Sequence, residues 1–512
     1  MKLSTQAPEG MQFTGRMGGG LGQDLKRRWP HFAADFREGL HAKIAASAFF
    51  LFFACLANAI AFGALTGAMT GGQIGIVEML IMTAAGGVAY ALFSGQPLTL
   101  LGGTGPIVVF TALLYQTCQQ MHLPFLPVYA WVGIWSGVFL ILCALFDLSF
   151  LMRYFTRFTD EIFSALIALI FIYEALNHLL GPLIQQRPVS NAAFLALIVG
   201  LGTYQIARNL KGFGRTPYLR FKVRIFLADF GPAIAISLMT IGTLLFPGIH
   251  LEAPVVPEHI VPTISRTWLI GLGEVPNWVP FAAILPALLA TILLFLDQNI
   301  TTRLVNAPHN RLKKGSGYHL DLGVVGILTL AGSLFGLPWV VAATVHSLNH
   351  VRSLAETQID PSSHTETIVS VRENRVSALL VHLLIGGSLL LLNWIAHIPL
   401  PVLYGLFLFM GLATLHGNQF FDRMKLWVMD PALYPKAHYI RKVAARKMHA
   451  YTFIQSVCLG ILWLLKVSPL GLLFPVFIAA LVPIRQALGR FFSASDLKAL
   501  DAEEIDSEDE LV

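Results

Sequence analysis

Apolar runs close to about 20 residues long dominate this chain, and that is the length an α-helix needs to cross a hydrocarbon core of about 30 Å. Twelve can be read directly: 43–66, 76–94, 127–148, 161–181, 191–209 and 229–247 in the first half, then 279–297, 321–335, 375–396, 400–415, 450–466 and 469–488 in the second. Lipid offers no hydrogen bonds, so such a chain must satisfy its backbone within helices. Composition agrees. Of 512 residues, 55% are hydrophobic and only 12% are Asp, Glu, Lys or Arg. Mean hydropathy is +0.66. So few charges cannot cover a water-soluble protein of this length, and the same figures exclude disorder, collagen and coiled coil. The expected class is an all-α polytopic membrane protein.

Two further apolar stretches are short and interrupted. One is 97–118, with Gly102, Gly103, Gly105 and Pro106 at its middle; the other is 336–355, opening on Gly336 and Pro338. Glycine and proline break the backbone ladder, so each reads as an extended lead followed by a half-helix. Including them gives fourteen spans. The basic residues test the count. With the N-terminus in the cytoplasm, three basic loops fall inside, as the positive-inside rule requires. They carry Arg208 to Arg224, Arg303 to Lys314, and Arg423 to Lys447. The loop 248–278 holds Glu252, Glu258 and Glu274 with only Arg266, and belongs outside.

The expected organisation is a cytoplasmic segment 1–41, a first seven-span repeat 42–250, an external loop 251–278, a second, inverted repeat 279–490 and an acidic cytoplasmic tail 491–512. Residues 1–41 are polar and basic, unlike a cleavable leader. The run Asp501 to Glu510 reads as solvated and flexible. Localisation is a plasma or inner membrane, multi-pass, with both termini cytoplasmic. The net charge of +6 resides in short loops and reports topology, so no nucleic-acid partner is expected. Cys55, Cys118, Cys143 and Cys458 lie in apolar stretches at spacings that match no metal or redox pattern.

An odd repeat unit of seven inverts its second copy. The interrupted segments are third in each half, and that pairing points to a transporter's substrate site. A half-helix starting at mid-membrane leaves N–H groups open and presents the positive end of its dipole. Two such ends make a focus for an anion. Thr104, Gly105 and Pro106 begin one half-helix; Ala342, Ala343 and Thr344 begin the other, followed by Val345 and His346. Asp297 stands at the cytoplasmic end of span eight, with Thr301 four residues on and on the same face. A carboxylate there suits a sodium ion or a proton. His350 follows His346 by one turn, but nothing nearby completes a metal site. Lys466 reads as an interfacial residue, Glu174 and His178 as a structural or gating pair, and Trp131, Trp135, Trp394 and Trp463 as interface or packing residues. GGTGP lacks the Lys and Ser/Thr of a phosphate loop, no catalytic triad stands out, and an enzyme is not expected.

These residues resemble the bicarbonate transporter family, which comprises anion exchangers and sodium–bicarbonate cotransporters. The similarity runs from about residue 18 to 488. It includes PLTLLGGTGPIVVF from Pro97, FLDQNITTRLV from Phe295, LKKGSGYHLDL from Leu312, FGLPWVVAATVHSLNHVRSL from Phe335 and PLPVLYGLFLFMGLATLHGNQFFDRMKL from Pro399. The resemblance implies fourteen spans in two inverted repeats. It implies a core of spans 1–4 and 8–11 holding the anion, a gate of spans 5–7 and 12–14 that forms a homodimer contact, and elevator-like transport. Chloride/bicarbonate exchangers of the family carry Glu at the position of Asp297 and Arg at that of His346. Sodium-coupled members have Asp followed by Gln, like Asp297 and Gln298 here, and an apolar residue at the second position. Thr111 stands where the family often has Glu. The large soluble N-terminal domain of animal members has no counterpart here, which suggests a bacterial-type member.

The expected function is secondary active transport of bicarbonate or carbonate, coupled to a cation, sodium or a proton, through Asp297, Thr301 and Thr344, with Thr104, Gly105, Pro106, Ala343, Thr344, Val345 and His346 around the anion. No cofactor is expected beyond a bound sodium ion; the partners are the small inorganic anion and the lipid bilayer. Electroneutral chloride/bicarbonate exchange, borate transport and a channel are the alternatives.

Overall fold

The computed structural model describes residues 10–185, 188–214, 216–359, 366–435, 437–468 and 470–502. The start of the 1–41 segment, the loop residues Arg215 and Lys436, and residues 503–512 of the acidic tail lie outside the described residues. The protein is helical. Nine helices among the described residues are long and apolar enough to cross a membrane, and a bent pair makes a tenth.

One compact unit takes in Met1–Phe150, Tyr173–Glu356 and Ile368–Phe409. It opens with α1 (Gly19–Arg28) and α2 (Phe32–Arg37), then α3 (Ala42–Met69) and α4 (Ile76–Phe93). A two-residue strand β1 (Leu101–Gly102) leads into α5 (Gly105–Gln120), and α6 (Phe125–Leu145) follows. Part of α7 (Arg157–Gln185) belongs here, with α8 (Asn191–Phe213), α9 (Phe221–Asp229), α10 (Gly231–Thr243), α11 (Val279–Ala282), α12 (Ile284–Val305) and α13 (Tyr318–Leu334). A second short strand β2 (Val341–Ala342) leads into α14 (Thr344–Leu354). Part of a hairpin of β3 (Ala355–Ile359) and β4 (Glu366–Val371) belongs here, and α15 (Val376–Gly387), α16 (Leu392–Ile395) and the start of α17 (Leu400–Leu415) follow.

Helix α6 lies directly against α13 because both are glycine-lined there. A Cβ on Gly137 would meet the Gly326 carbonyl oxygen at 2.7 Å, so only glycine admits this approach. Small residues are what bring helices together in lipid, where apolar burial supplies little drive. The amphipathic start of the chain is fastened by buried charge. Asp24 accepts from the backbone N–H groups of His319 (2.8 Å) and Leu320 (3.1 Å), and Asp147 accepts from Gly20 N–H (2.8 Å). Buried Arg28 pairs with Asp35 (3.4 Å) and Glu373 (3.3 Å), and Arg375 also reaches Asp35 (3.2 Å).

The other unit takes in Leu151–Ile172, Thr357–Thr367 and Met410–Val512. It holds α18 (Gln419–Lys425), α19 (His438–Lys442), α20 (Ala445–Val467), α21 (Phe474–Ala487) and α22 (Ala494–Leu500). Between α17 and α18 the chain turns by 76° at Gly417, whose φ of +83° suits glycine. Buried Arg423 bonds to Glu161 and to Gln455 (2.8 Å), beneath the ring of Tyr451. Lys466 lies 5.6 Å from the ring centre of Trp463.

Three sequence expectations need correction. Asp297 is not at a helix end: α12 continues to Val305, because the polar residues after Asp297 bond inside the protein. The expected span 229–247 is shorter than that: α10 runs only from Gly231 to Thr243, and Pro232 in its first turn has no N–H to extend the ladder back into α9, which ends at Asp229. Asp501 is not free in solvent, since it accepts from Arg485 Nε (3.0 Å) and the Tyr451 hydroxyl (3.0 Å).

Candidate functional site

The two interrupted segments meet. Strands β1 and β2 pair antiparallel, Leu101 opposite Ala342 and Gly102 opposite Val341, and Ala343 N–H donates to Leu100 C=O at 2.8 Å. Each strand leads straight into a half-helix, so α5 and α14 begin beside one another and point apart. Thr104 is the cap residue of α5 in extended backbone (φ −128°, ψ 151°), with Pro106 in the first turn. Ala343 is the cap residue of α14. Neither side chain caps its helix. An alanine cannot, and the Thr104 hydroxyl is directed elsewhere. The first N–H groups of both helices are therefore left without a side-chain cap, and each helix start carries roughly +0.5 charge.

Helix α12 supplies the opposing polar groups. Asp297 is 9% exposed, and its Oδ2 accepts from the Thr104 hydroxyl at 2.7 Å. One turn on, the Thr301 hydroxyl lies 2.6 Å from the Thr344 hydroxyl and 3.2 Å from the Ala342 carbonyl oxygen, to which it donates. A single face of α12 thus reaches both half-helix starts, the first through Asp297 and the second through Thr301. The carboxylate and hydroxyl oxygens of Asp297, Thr301 and Thr344 are the hard donors a small alkali cation takes.

The structure places most expected site residues together. Gly105 and Pro106 form the first turn of α5, and Thr344, Val345 and His346 that of α14. The Val345 side chain is 67% exposed. His346 Nδ1 is buried with no hydrogen-bond partner among the described residues. Thr111 donates to Ile107 C=O on its own helix. His178 stacks on Tyr404 with ring centres 4.4 Å apart, while Trp131 and Trp135 donate to the carbonyls of Leu272 (3.1 Å) and Pro280 (2.8 Å). His350 is a structural residue: its ring bridges Leu98 C=O (2.8 Å) and the Ser377 hydroxyl (2.6 Å).

Several contributors escaped the sequence reading. Asn58 of α3 donates to Gly103 C=O at 3.3 Å, Ser347 Oγ accepts Leu100 N–H at 3.0 Å, and Tyr90 of α4 accepts from Gln298 at 2.9 Å. Asn58 was the most findable, as a polar residue within a long apolar run.

A family model described as the HCO3- transporter integral membrane domain matches residues 16–189 and 181–505. The chain belongs to the bicarbonate transporter family. Relatives of this family include the rat "Band 3 anion transport protein", 37% identical over 515 residues, covering 96% of this chain and 56% of that protein. The human "Sodium-driven chloride bicarbonate exchanger" is 37% identical over 564 residues, covering 96% of this chain and 50% of that protein. The chain spans about half the length of these curated relatives. In fold it is similar to the transmembrane domain of the cyanobacterial bicarbonate transporter BicA, with a TM-score of 0.57 at 17% identity over 82% of this chain and 98% of that one. It is also similar to SLC26A9, with a TM-score of 0.58 at 15% identity over 87% of this chain and 65% of that one. This is therefore a multi-pass membrane protein of a transporter family.

Proposed function

We propose that this protein is a secondary active transporter of bicarbonate or carbonate, coupled to sodium. The anion sits against the starts of α5 and α14, and sodium sits among Asp297, Thr301 and Thr344. The observation that carries the reading is the junction itself: two half-helices begin side by side, and α12 ties Asp297 to Thr104 and Thr301 to Thr344. Two dipole ends attract the anion, and a carboxylate nearby opposes it unless a cation neutralises that charge. Anion and cation then stabilise each other's binding, the energetic content of co-transport. The names of relatives that couple bicarbonate to sodium support this choice.

In this reading the chain crosses the membrane fourteen times with both termini cytoplasmic. Spans 1–4 and 8–11 form a core that moves elevator-like against a gate of spans 5–7 and 12–14, and the gates pair two copies. The test is reconstitution in liposomes with labelled bicarbonate. Sodium-driven, saturable uptake is expected. No bicarbonate flux under any gradient rejects the reading; flux indifferent to sodium but dependent on chloride replaces it with exchange, His346 then serving as the anion's additional donor.

A further inference from the structure

Gln298 is next to Asp297 but points to a different task. Its side chain is buried and bonded at both ends. Oε1 accepts from Ala342 N–H at 3.0 Å; Nε2 donates to the Tyr90 hydroxyl at 2.9 Å and to Thr302 Oγ1 at 3.2 Å. A backbone N–H can only donate, so Ala342 settles the orientation of the amide: Oε1 faces Ala342, and Nε2 is left for the two hydroxyls.

Ala342 needs such a partner. It lies opposite Leu101 in a two-residue antiparallel ladder, and the ladder bond beside this pair runs from Ala343 N–H to Leu100 C=O. In an antiparallel pair, alternate residues turn their backbone groups away from the neighbouring strand. Those of Ala342 turn towards α12. Gln298 takes its N–H and Thr301 takes its C=O. Both backbone groups of the last strand residue before α14 are thus held by one helix, the helix that carries Asp297.

We propose that Gln298 is a positioning residue that fixes the start of α14 against α12, with Tyr90 holding its amide in the productive orientation. The inference rests on the reading that anion and cation bind where α12 meets the half-helix starts. With the clamp intact, Asp297 and the open N–H groups of α14 keep one spacing, and each ion meets a site shaped for the other. Without it, Thr301 alone holds Ala342, and the start of α14 can drift from Asp297.

The test compares wild type with Gln298→Leu, Tyr90→Phe and the double variant in lipid nanodiscs and liposomes. Hydrogen exchange reads the clamp without requiring transport. In Gln298→Leu the amides of residues 341–344 are expected to exchange about tenfold faster while α6 is unchanged. In flux assays the KM for bicarbonate is expected to rise about five- to tenfold with kcat within about twofold, Tyr90→Phe giving a smaller rise and adding nothing to Gln298→Leu. Unchanged exchange at 341–344, equal acceleration throughout α6, or a fall in kcat at constant KM each overturns the proposal. Absence of bicarbonate flux in wild type defeats the functional reading instead, and the exchange data still judge Gln298.

Discussion

The Thr104 hydroxyl donates to the Asp297 carboxylate across 2.7 Å, joining the first residue before one half-helix to the middle of α12. A threonine in a cap position ordinarily turns its oxygen onto its own helix. Here the hydroxyl is spent on the carboxylate, so the N–H groups of α5 stay open to a ligand.

Thr104→Val removes that hydrogen bond at nearly constant volume. A hydrogen bond to a charged group contributes about 1.5–3 kcal/mol, so half-saturation for sodium is expected to rise roughly 10- to 100-fold. Thr104→Ser keeps the donor and should stay near wild type. Sodium titration of bicarbonate uptake measures both.

His346→Arg places a permanent charge at the start of α14, close to the helix that bears Asp297. The charge would substitute for a bound cation. Flux is expected to lose most of its sodium dependence and to become driven by a chloride gradient. Unaltered sodium dependence would count against a place for His346 beside the ions.

Gly103→Ala introduces a Cβ that would lie 3.0 Å from Phe62 Cβ and 3.2 Å from Met79 Cε. Phe62 Cβ is fixed to the backbone of α3 and cannot yield as a flexible tip can, so overpacking of about 1–3 kcal/mol is expected. A lowered melting temperature in detergent, with the largest loss of protection near β1, is the readout.

Burial pushes the Asp24 carboxyl from 3.8 up to about 7, outweighing the backbone N–H groups of Leu320 and His319 and the Arg27 guanidinium, which favour its charge. A carboxyl with a higher pKa when folded binds its proton more tightly in the folded state. Its contribution is therefore complete below about pH 4 and is lost as pH rises to about 7. Asp24→Asn should remove this dependence, so the gap in melting temperature between wild type and variant should change across that window. A constant gap would refute the assignment.

Much of this was legible from order along the chain. Apolar run length identified a polytopic helical protein, and Gly102 to Pro106 and Gly336 to Pro338 marked the two interrupted segments, because lipid punishes every unpaired backbone group. Asp297, Thr301 and Thr344 were conspicuous as polar groups in apolar surroundings, and the structure brings them together with Thr104. Less legible was the ordered start of the chain: Asp24, Arg28 and Asp35 look like surface charges until His319, Glu373 and Arg375 close around them. Asp501 misled in the same way, because its partner Arg485 lies in another helix.

The sequence by itself determined the class of protein and its broken segments and singled out Asp297, since hydropathy and backbone breaks act locally and leave their mark in residue order. Only the tertiary structure decided that β1 and β2 pair, that α12 runs on past Asp297, and that Gln298 and Ser347 tie down the strand leads. Those outcomes depend on hydrogen bonds between residues tens to hundreds of positions apart. A lone glutamine or serine in sequence carries no sign of which distant backbone group it will meet.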